Sequence, residues 1–237
     1  MLSVMLCASA GFGAACCADP ASCSSTTATA ADNTLTAQEQ AAGWTLLFDG
    51  KSFDGWGCTD KAFPGWSVKD GVIALARHAG GYLYTDQQFT NFELEIDFMV
   101  DTHTNSGVFF RWSDLADPVQ TGFEMQVLDS AGKNPPDKHD CGALYDILAP
   151  SENTMRPAHQ WNTAVITCRN GFVTISLNGA RIVRADLDKY TKPGKNIDGR
   201  NNKYSRALKD FSRTGHIGLQ AHGGAAWFKN IKIRQIK

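Results

Sequence analysis

The sequence contains no run approaching the roughly 18 apolar residues that a membrane-spanning helix needs. Charge of one sign is missing too: 23 Lys plus Arg stand against 24 Asp plus Glu, a formal net charge of -1. The first absence excludes a helical transmembrane span, and the second removes the positive field that a nucleic-acid partner requires. No long stretch repeats apolar residues at the helical period, which excludes a helical bundle. There is no internal repeat and no second-domain boundary. No compact ligand spacing such as His-x-x-x-His occurs. Nor is there an even set of cysteines. Cys7, Cys16, Cys17 and Cys23 fall in the first thirty residues, leaving Cys58, Cys141 and Cys168 for the rest of the chain. Three thiols cannot all pair internally. Cys168 alternates with Ala164 and Ile166 and reads as a buried thiol, whereas Cys58 and Cys141 sit in Gly-containing loops where a disulfide between them stays open.

What is present divides unevenly along the chain. Residues 1–18 are small and apolar, and residues 22–36 form a Ser/Thr/Ala-rich spacer; residues 1–36 therefore read as an export signal followed by a flexible linker. A basic stretch before the apolar run is lacking. Gly13-Ala14-Ala15-Cys16 is similar to a lipoprotein cleavage box without the usual Leu; the expected location is periplasmic or extracellular, either as a cleaved soluble form or lipid-anchored at Cys16. The folded unit is expected over residues 43–237. Aromatics make up 10% of the chain, with six Trp and thirteen Phe, a supply sufficient for both a core and sugar stacking.

From Trp44 onward the chain consists of short alternating or β-rich runs broken by turn signals. Strands are predicted at 44–48, 72–76, 92–100, 107–112, 122–128, 161–169, 172–177, 181–185, 215–221 and 227–236. In 92–100 the apolar set Phe92, Leu94, Ile96, Phe98 and Val100 alternates with Glu93, Glu95 and Asp97, so one face packs and the other is wet. Asn170-Gly171 and Asn178-Gly179 are two-residue turn signals that make 161–185 a three-strand meander. The fold class is therefore all-β: a jelly-roll sandwich of two antiparallel sheets. Residues 129–141 and 186–213 are too long and polar for strands and read as large loops, the second with a local excess of Lys and Arg that suits a rim over a binding face.

At Leu47-Phe48-Asp49-Gly50-Lys51-Ser52-Phe53-Asp54-Gly55-Trp56 the sequence resembles a known family. So do Asn105-Ser106-Gly107, Gly122-Phe123-Glu124-Met125-Gln126, Gly142-Ala143-Leu144-Tyr145, Trp161-Asn162, Leu177-Asn178-Gly179 and Gly215-His216-Ile217-Gly218-Leu219-Gln220. In order and combination these motifs resemble the 3-keto-disaccharide hydrolase family, formerly a domain of unknown function. The likeness runs from about Gly43 to Ile236. It implies a concanavalin A-like jelly roll acting on 3-keto-glycosides, in exported and often lipid-anchored bacterial proteins. Where the family commonly has Leu-Gln-Asp-His-Gly, this chain has Leu219-Gln220-Ala221-His222-Gly223, so any role that needs a carboxylate at position 221 is lost.

A ketone at carbon 3 of a glucoside acidifies the hydrogen on carbon 2, and the resulting enolate expels the glycosidic oxygen from carbon 1. Such a site needs a base, a group that holds the enolate oxygen, and residues that hold the sugar. Glu124, on the polar face Gly122-Glu124-Gln126, is the first choice for the base; His222, on a Gly-flanked turn, is the second. Arg111, expected to share a face with Phe109, is the candidate for the enolate oxygen, with an ion pair to Glu124 or Asp97 as the plainer role. Asn105, Gln126, Asp129, Tyr145 and Gln220 are expected to bind the sugar. No cofactor is certain. A divalent cation is a candidate because Asp129 and His139 bracket the Pro-containing loop. The expected partner is a 3-keto-glycoside or another carbohydrate, supplied by a separate oxidoreductase.

Two other readings compete. A retaining glycosidase on the same fold would need two Glu five residues apart, as in Glu-Ile-Asp-x-x-Glu; here Glu95-Ile96-Asp97 is followed by Val100 at the required position, so the pair is missing. A non-catalytic carbohydrate-binding module would use aromatic faces and amides without a poised base.

Overall fold

The computed structural model describes residue 1 and residues 31–237, and its regular elements are almost all strands. The first are β1 (Trp44–Leu46), β2 (Trp56–Cys58), β3 (Trp66–Lys69), β4 (Val72–Leu75) and β5 (Leu83–Thr85). Two long strands follow, β6 (Phe92–Val100) and β7 (Asn105–Trp112), then β8 (Phe123–Leu128). The meander is β9 (Asn162–Arg169), β10 (Phe172–Leu177) and β11 (Ala180–Asp186), and the chain closes with β12 (His216–Leu219) and β13 (Ala226–Gln235). The two helices among the described residues, α1 (Ala37–Ala41) and α2 (Pro118–Thr121), have five and four residues. No described helix is long and apolar enough to cross a membrane.

All pairings are antiparallel, in two sheets. The larger has the order β11-β10-β9-β6-β13-β4-β3, with β1 pairing the distal half of β13. The smaller has the order β2-β5-β12-β7-β8. This is the two-layer antiparallel jelly roll that the alternation predicts. Phe92, Leu94, Ile96, Phe98 and Val100 of β6 are wholly buried between the sheets, opposite Val108 and Phe110 of β7, Phe123, Met125 and Val127 of β8, and Ile217 and Leu219 of β12. Each such side chain contributes about 1.5–3 kcal/mol on burial, so this interlayer sets the register of both sheets. Cys58, Cys141 and Cys168 are free and buried.

The folded unit begins earlier than expected. Asn33 donates its N–H to Asn230 Oδ1 (2.7 Å), accepts the Asn230 N–H (2.9 Å) and donates its amide to the Gly71 carbonyl (2.8 Å). Asp32 pairs with Lys229 at 2.6 Å, and α1 starts with a capping box between Thr36 and Glu39. Residues 32–36 are thus docked on the larger sheet rather than forming a free tether. The Ser/Thr/Ala composition missed this because a local side-chain clasp leaves no apolar period. The remainder of the expected export segment lies outside the described residues.

Candidate active site

The outer face of the smaller sheet carries a cleft of about 230 Å³ lined by Tyr82, Asn105, Val119, Glu124, Gln126, Tyr145, Lys203, Gln220 and His222. Strand alternation aims the polar side chains outward: on β8, Phe123, Met125 and Val127 enter the core, so Glu124 and Gln126 point to the opposite face. Glu124 lies opposite Phe109, and Gln126 opposite Gly107. A Cβ at Gly107 would stand 2.3 Å from Glu124 Oε1, so only glycine lets the carboxylate lie across β7. Tyr82 stacks on Phe109 with 5.6 Å between ring centroids, forming the wall toward β5. Residues 142–145 extend the sheet beyond β8: the Gly142 N–H donates to the Gln126 carbonyl (2.8 Å) and the Tyr145 N–H to the Glu124 carbonyl (2.9 Å).

Glu124 is only 3% exposed. Burial pushes its carboxyl up to about 7, against the lowering influence of Lys203 and the Gln220 amide. Lys203 Nζ stands 3.5 Å from Glu124 Oε2 and 4.3 Å from the centroid of the Tyr145 ring. Burial and the negative charge of Glu124 raise the Tyr82 and Tyr145 hydroxyls. Three amide oxygens, Asn105 Oδ1, Gln126 Oε1 and Gln220 Oε1, are buried here without a hydrogen-bond partner. An unmet buried acceptor costs about 1–3 kcal/mol, so three around one cleft form a surface suited to hydroxyl donors.

Six of the residues singled out from the sequence meet at this cleft: Glu124, His222, Asn105, Gln126, Tyr145 and Gln220. His222 stands exposed at the rim. Arg111 is a correction. Between Phe109, which pairs with Gly218, and Trp112, which pairs with His216, β7 gains one residue over β12, and Arg111 occupies that bulge with φ +52°. The bulge breaks the alternation and turns Arg111 away from the cleft. Its guanidinium is wholly buried and donates to the carbonyls of Thr90 (2.8 Å) and Asn170 (2.8 Å), so it pairs with neither Glu124 nor Asp97. Trp112 takes the outward place instead, against Tyr82 and Tyr84.

Asp129 is the second correction. Its carboxylate accepts the His103 N–H (2.9 Å) and lines no part of the cleft. His139 lies behind Tyr145, edge-on to its ring at 5.2 Å, and contacts Asp146. The two therefore serve different partners, and no group of three His, Cys, Asp or Glu among the described residues is placed to hold a metal ion. Lys203, Tyr82 and Val119 were not expected. Only Lys203 had a signal, the basic excess in 186–213.

A larger groove of about 500 Å³ lies elsewhere, between the β10–β11 edge and the 186–198 segment, lined by Phe172, Arg184, Tyr190 and Ile197 among others. Its carboxylates, Asp186 and Asp198, are half-buried and exposed, whereas Glu124 of the smaller cleft is buried beside an ammonium.

A family model described as "3-keto-alpha-glucoside-1,2-lyase-like domain" matches residues 43–234. The chain is 27% identical over 230 residues to a 3-keto-disaccharide hydrolase of Bacteroides thetaiotaomicron, covering 81% of this chain and 78% of that protein. It is similar in structure to two provisionally named glycosyl hydrolases of Parabacteroides distasonis. One has a TM-score of 0.74 at 30% identity, covering 81% of this chain and 99% of the other. The second has a TM-score of 0.73 at 28% identity, covering 87% and 100%.

Proposed function

The chain belongs to the family of 3-keto-alpha-glucoside-1,2-lyase-like domains, and on that footing we propose that it cleaves the glycosidic bond of 3-keto-glycosides by elimination next to the ketone, followed by hydration. The observation that carries this reading is a cleft with one carboxylate, Glu124, raised to about 7 and faced by one ammonium, Lys203, at 3.5 Å. A base whose pKa sits near the working pH is efficient in proton transfer. A conventional glycosidase needs two carboxyl groups across the scissile bond, and the cleft lining contains no second one.

In this reading Glu124 takes the hydrogen from carbon 2, and the electron pair of that C–H bond forms the enolate at carbons 2 and 3. Lys203 stabilises the enolate oxygen, the role first expected of Arg111. Re-forming the ketone then drives the electrons to carbons 1 and 2 while the C1–O bond breaks. The departing oxygen takes a proton from the cleft, with His222 at the rim as the donor in reach. Water adds across the new double bond to give the free 3-keto sugar. Asn105, Gln126 and Gln220 accept hydrogen bonds from the sugar hydroxyls, and Tyr82 offers its ring to the sugar face. A separate oxidoreductase supplies the ketone. The segment before residue 32 serves export in the same proposal, to the periplasm or the outside of the cell, either removed to leave a soluble form or lipid-anchored at Cys16.

Incubation with a 3-keto-glucoside and with its unoxidised parent tests the reading. Consumption of the keto-glucoside alone is expected. Turnover of the parent would identify a conventional hydrolase, and binding without turnover of either would identify a carbohydrate-binding module.

A further inference from the structure

Lys203 comes from an irregular segment, and a flexible ammonium on a loop is a poor electrostatic catalyst unless something fixes it. Four contacts converge on a single neighbouring residue. The Lys203 N–H donates to Asp146 Oδ2 at 2.5 Å. On the other carboxylate oxygen, Asp146 Oδ1 faces Lys138 Nζ at 2.5 Å and His139 Nε2 at 3.0 Å. The Asp146 carbonyl accepts the Asn196 amide at 3.0 Å. Asp146 directly follows Tyr145 and takes φ +61°, a left-handed conformation uncommon for a residue other than glycine. It therefore sits at a chain reversal beside the residue over whose ring Lys203 lies.

We propose that Asp146 is the positioning residue of the site: its carboxylate clasps the backbone of Lys203, and its carbonyl clasps Asn196, so the 196–203 segment is held against the cleft and the Lys203 ammonium is delivered to Glu124. This rests on the proposed catalytic roles of Glu124 and Lys203. The titratable groups facing Asp146 are Lys138 and His139, and those facing the Lys203 ammonium are Glu124, Tyr145 and Tyr204. His139, which Asp129 does not join around a cation, thereby gains a structural part: it braces both Asp146 and Tyr145.

The clasp makes a directional claim. Lys203 holds the Glu124 carboxyl down. Removing the negative charge of Asp146 with Lys203 still in place would lower the Glu124 pKa further or leave it alone. Releasing Lys203 would raise it. The test is the titration of the Glu124 carboxyl carbon by NMR in the full chain, for wild type, Asp146→Ala, Asp146→Asn, Lys203→Met and the Asp146→Ala/Lys203→Met pair. It is accompanied by kcat/KM for a 3-keto-glucoside against pH. Asp146→Ala is expected to raise the Glu124 pKa in the same direction as Lys203→Met, and to reduce kcat/KM about tenfold or more. Asp146→Asn, which keeps an acceptor for the Lys203 N–H, is expected to recover most of both, and the double variant to add nothing to Lys203→Met. A Glu124 titration that stays put or falls in Asp146→Ala, or additive effects in the double variant, would overturn the proposal. If the titrations shift as stated while wild type leaves the keto-glucoside untouched, the clasp stands and the catalytic reading falls.

Discussion

The two sheets of the sandwich present carboxylates on their outer faces, and they treat them in opposite ways. On the larger sheet Glu93 pairs with Arg234 (2.9 Å), Glu95 with Lys232 (2.8 Å), and Asp97 accepts from Asn230 (2.7 Å) and Thr163 (2.6 Å). Every acid of that row is matched across the strands and left partly solvated. On the smaller sheet Glu124 is desolvated, its cation stands at 3.5 Å, and three amide oxygens around it lack partners. Sequence alternation is the same in both rows, so the difference lies in what the loops do above them. A row that is fully paired is scaffold, and a row that is buried and left short of partners is a site.

The largest expected contrast is between Glu124 and Glu95. Glu124→Gln should lower turnover of a 3-keto-glucoside at least about a hundredfold, the range for loss of a general base. The second contrast concerns stability. Because the folded-state pKa of Glu124 lies above its ordinary value, the folded protein holds that proton more tightly than the unfolded chain. Stability is therefore lost as pH rises from the ordinary carboxylate value through about 7. Thermal or urea unfolding should then find Glu124→Gln more stable than wild type at pH 8, by on the order of 2–3 kcal/mol, with that advantage gone at pH 4.

Arg111→Met is the complementary change. It leaves the carbonyls of Thr90 and Asn170 without their buried donor, and should destabilise by about 2–4 kcal/mol, while the KM of the folded protein stays unchanged. A smaller effect is expected from Gln220→Ala, which removes one acceptor of the proposed sugar site: KM should rise severalfold, as for the loss of a hydrogen bond worth about 1 kcal/mol. The smallest is Glu95→Gln, which should not alter turnover at all. Any loss of activity there would break the distinction between the two faces.

Much of this contrast was legible in the sequence. The spans 92–100 and 172–177 match β6 and β10 residue for residue, because nine and six residues of alternation leave little freedom of boundary. β2, β3 and β5, at three or four residues each, are too short to establish a period and left no signal. For the site, alternation identified Glu124 and Gln126 on an outward face. The same rule failed at Arg111, where one inserted residue in β7 inverts the pattern. Lys203 showed only within a basic excess, for a different reason: it reaches Glu124 from 79 residues away, through a loop anchored by side-chain hydrogen bonds that have no sequence period.

The measurement that tests the central claim most directly is the primary isotope effect with a 3-keto-glucoside deuterated at carbon 2. If Glu124 removes that hydrogen in the step that limits kcat/KM, ahead of the loss of the glycosidic oxygen, the deuterated substrate should turn over severalfold more slowly in kcat/KM, and the released sugar should carry a solvent hydrogen at carbon 2. Equal rates for the two isotopologues, with deuterium retained at carbon 2 of the product, would contradict the account.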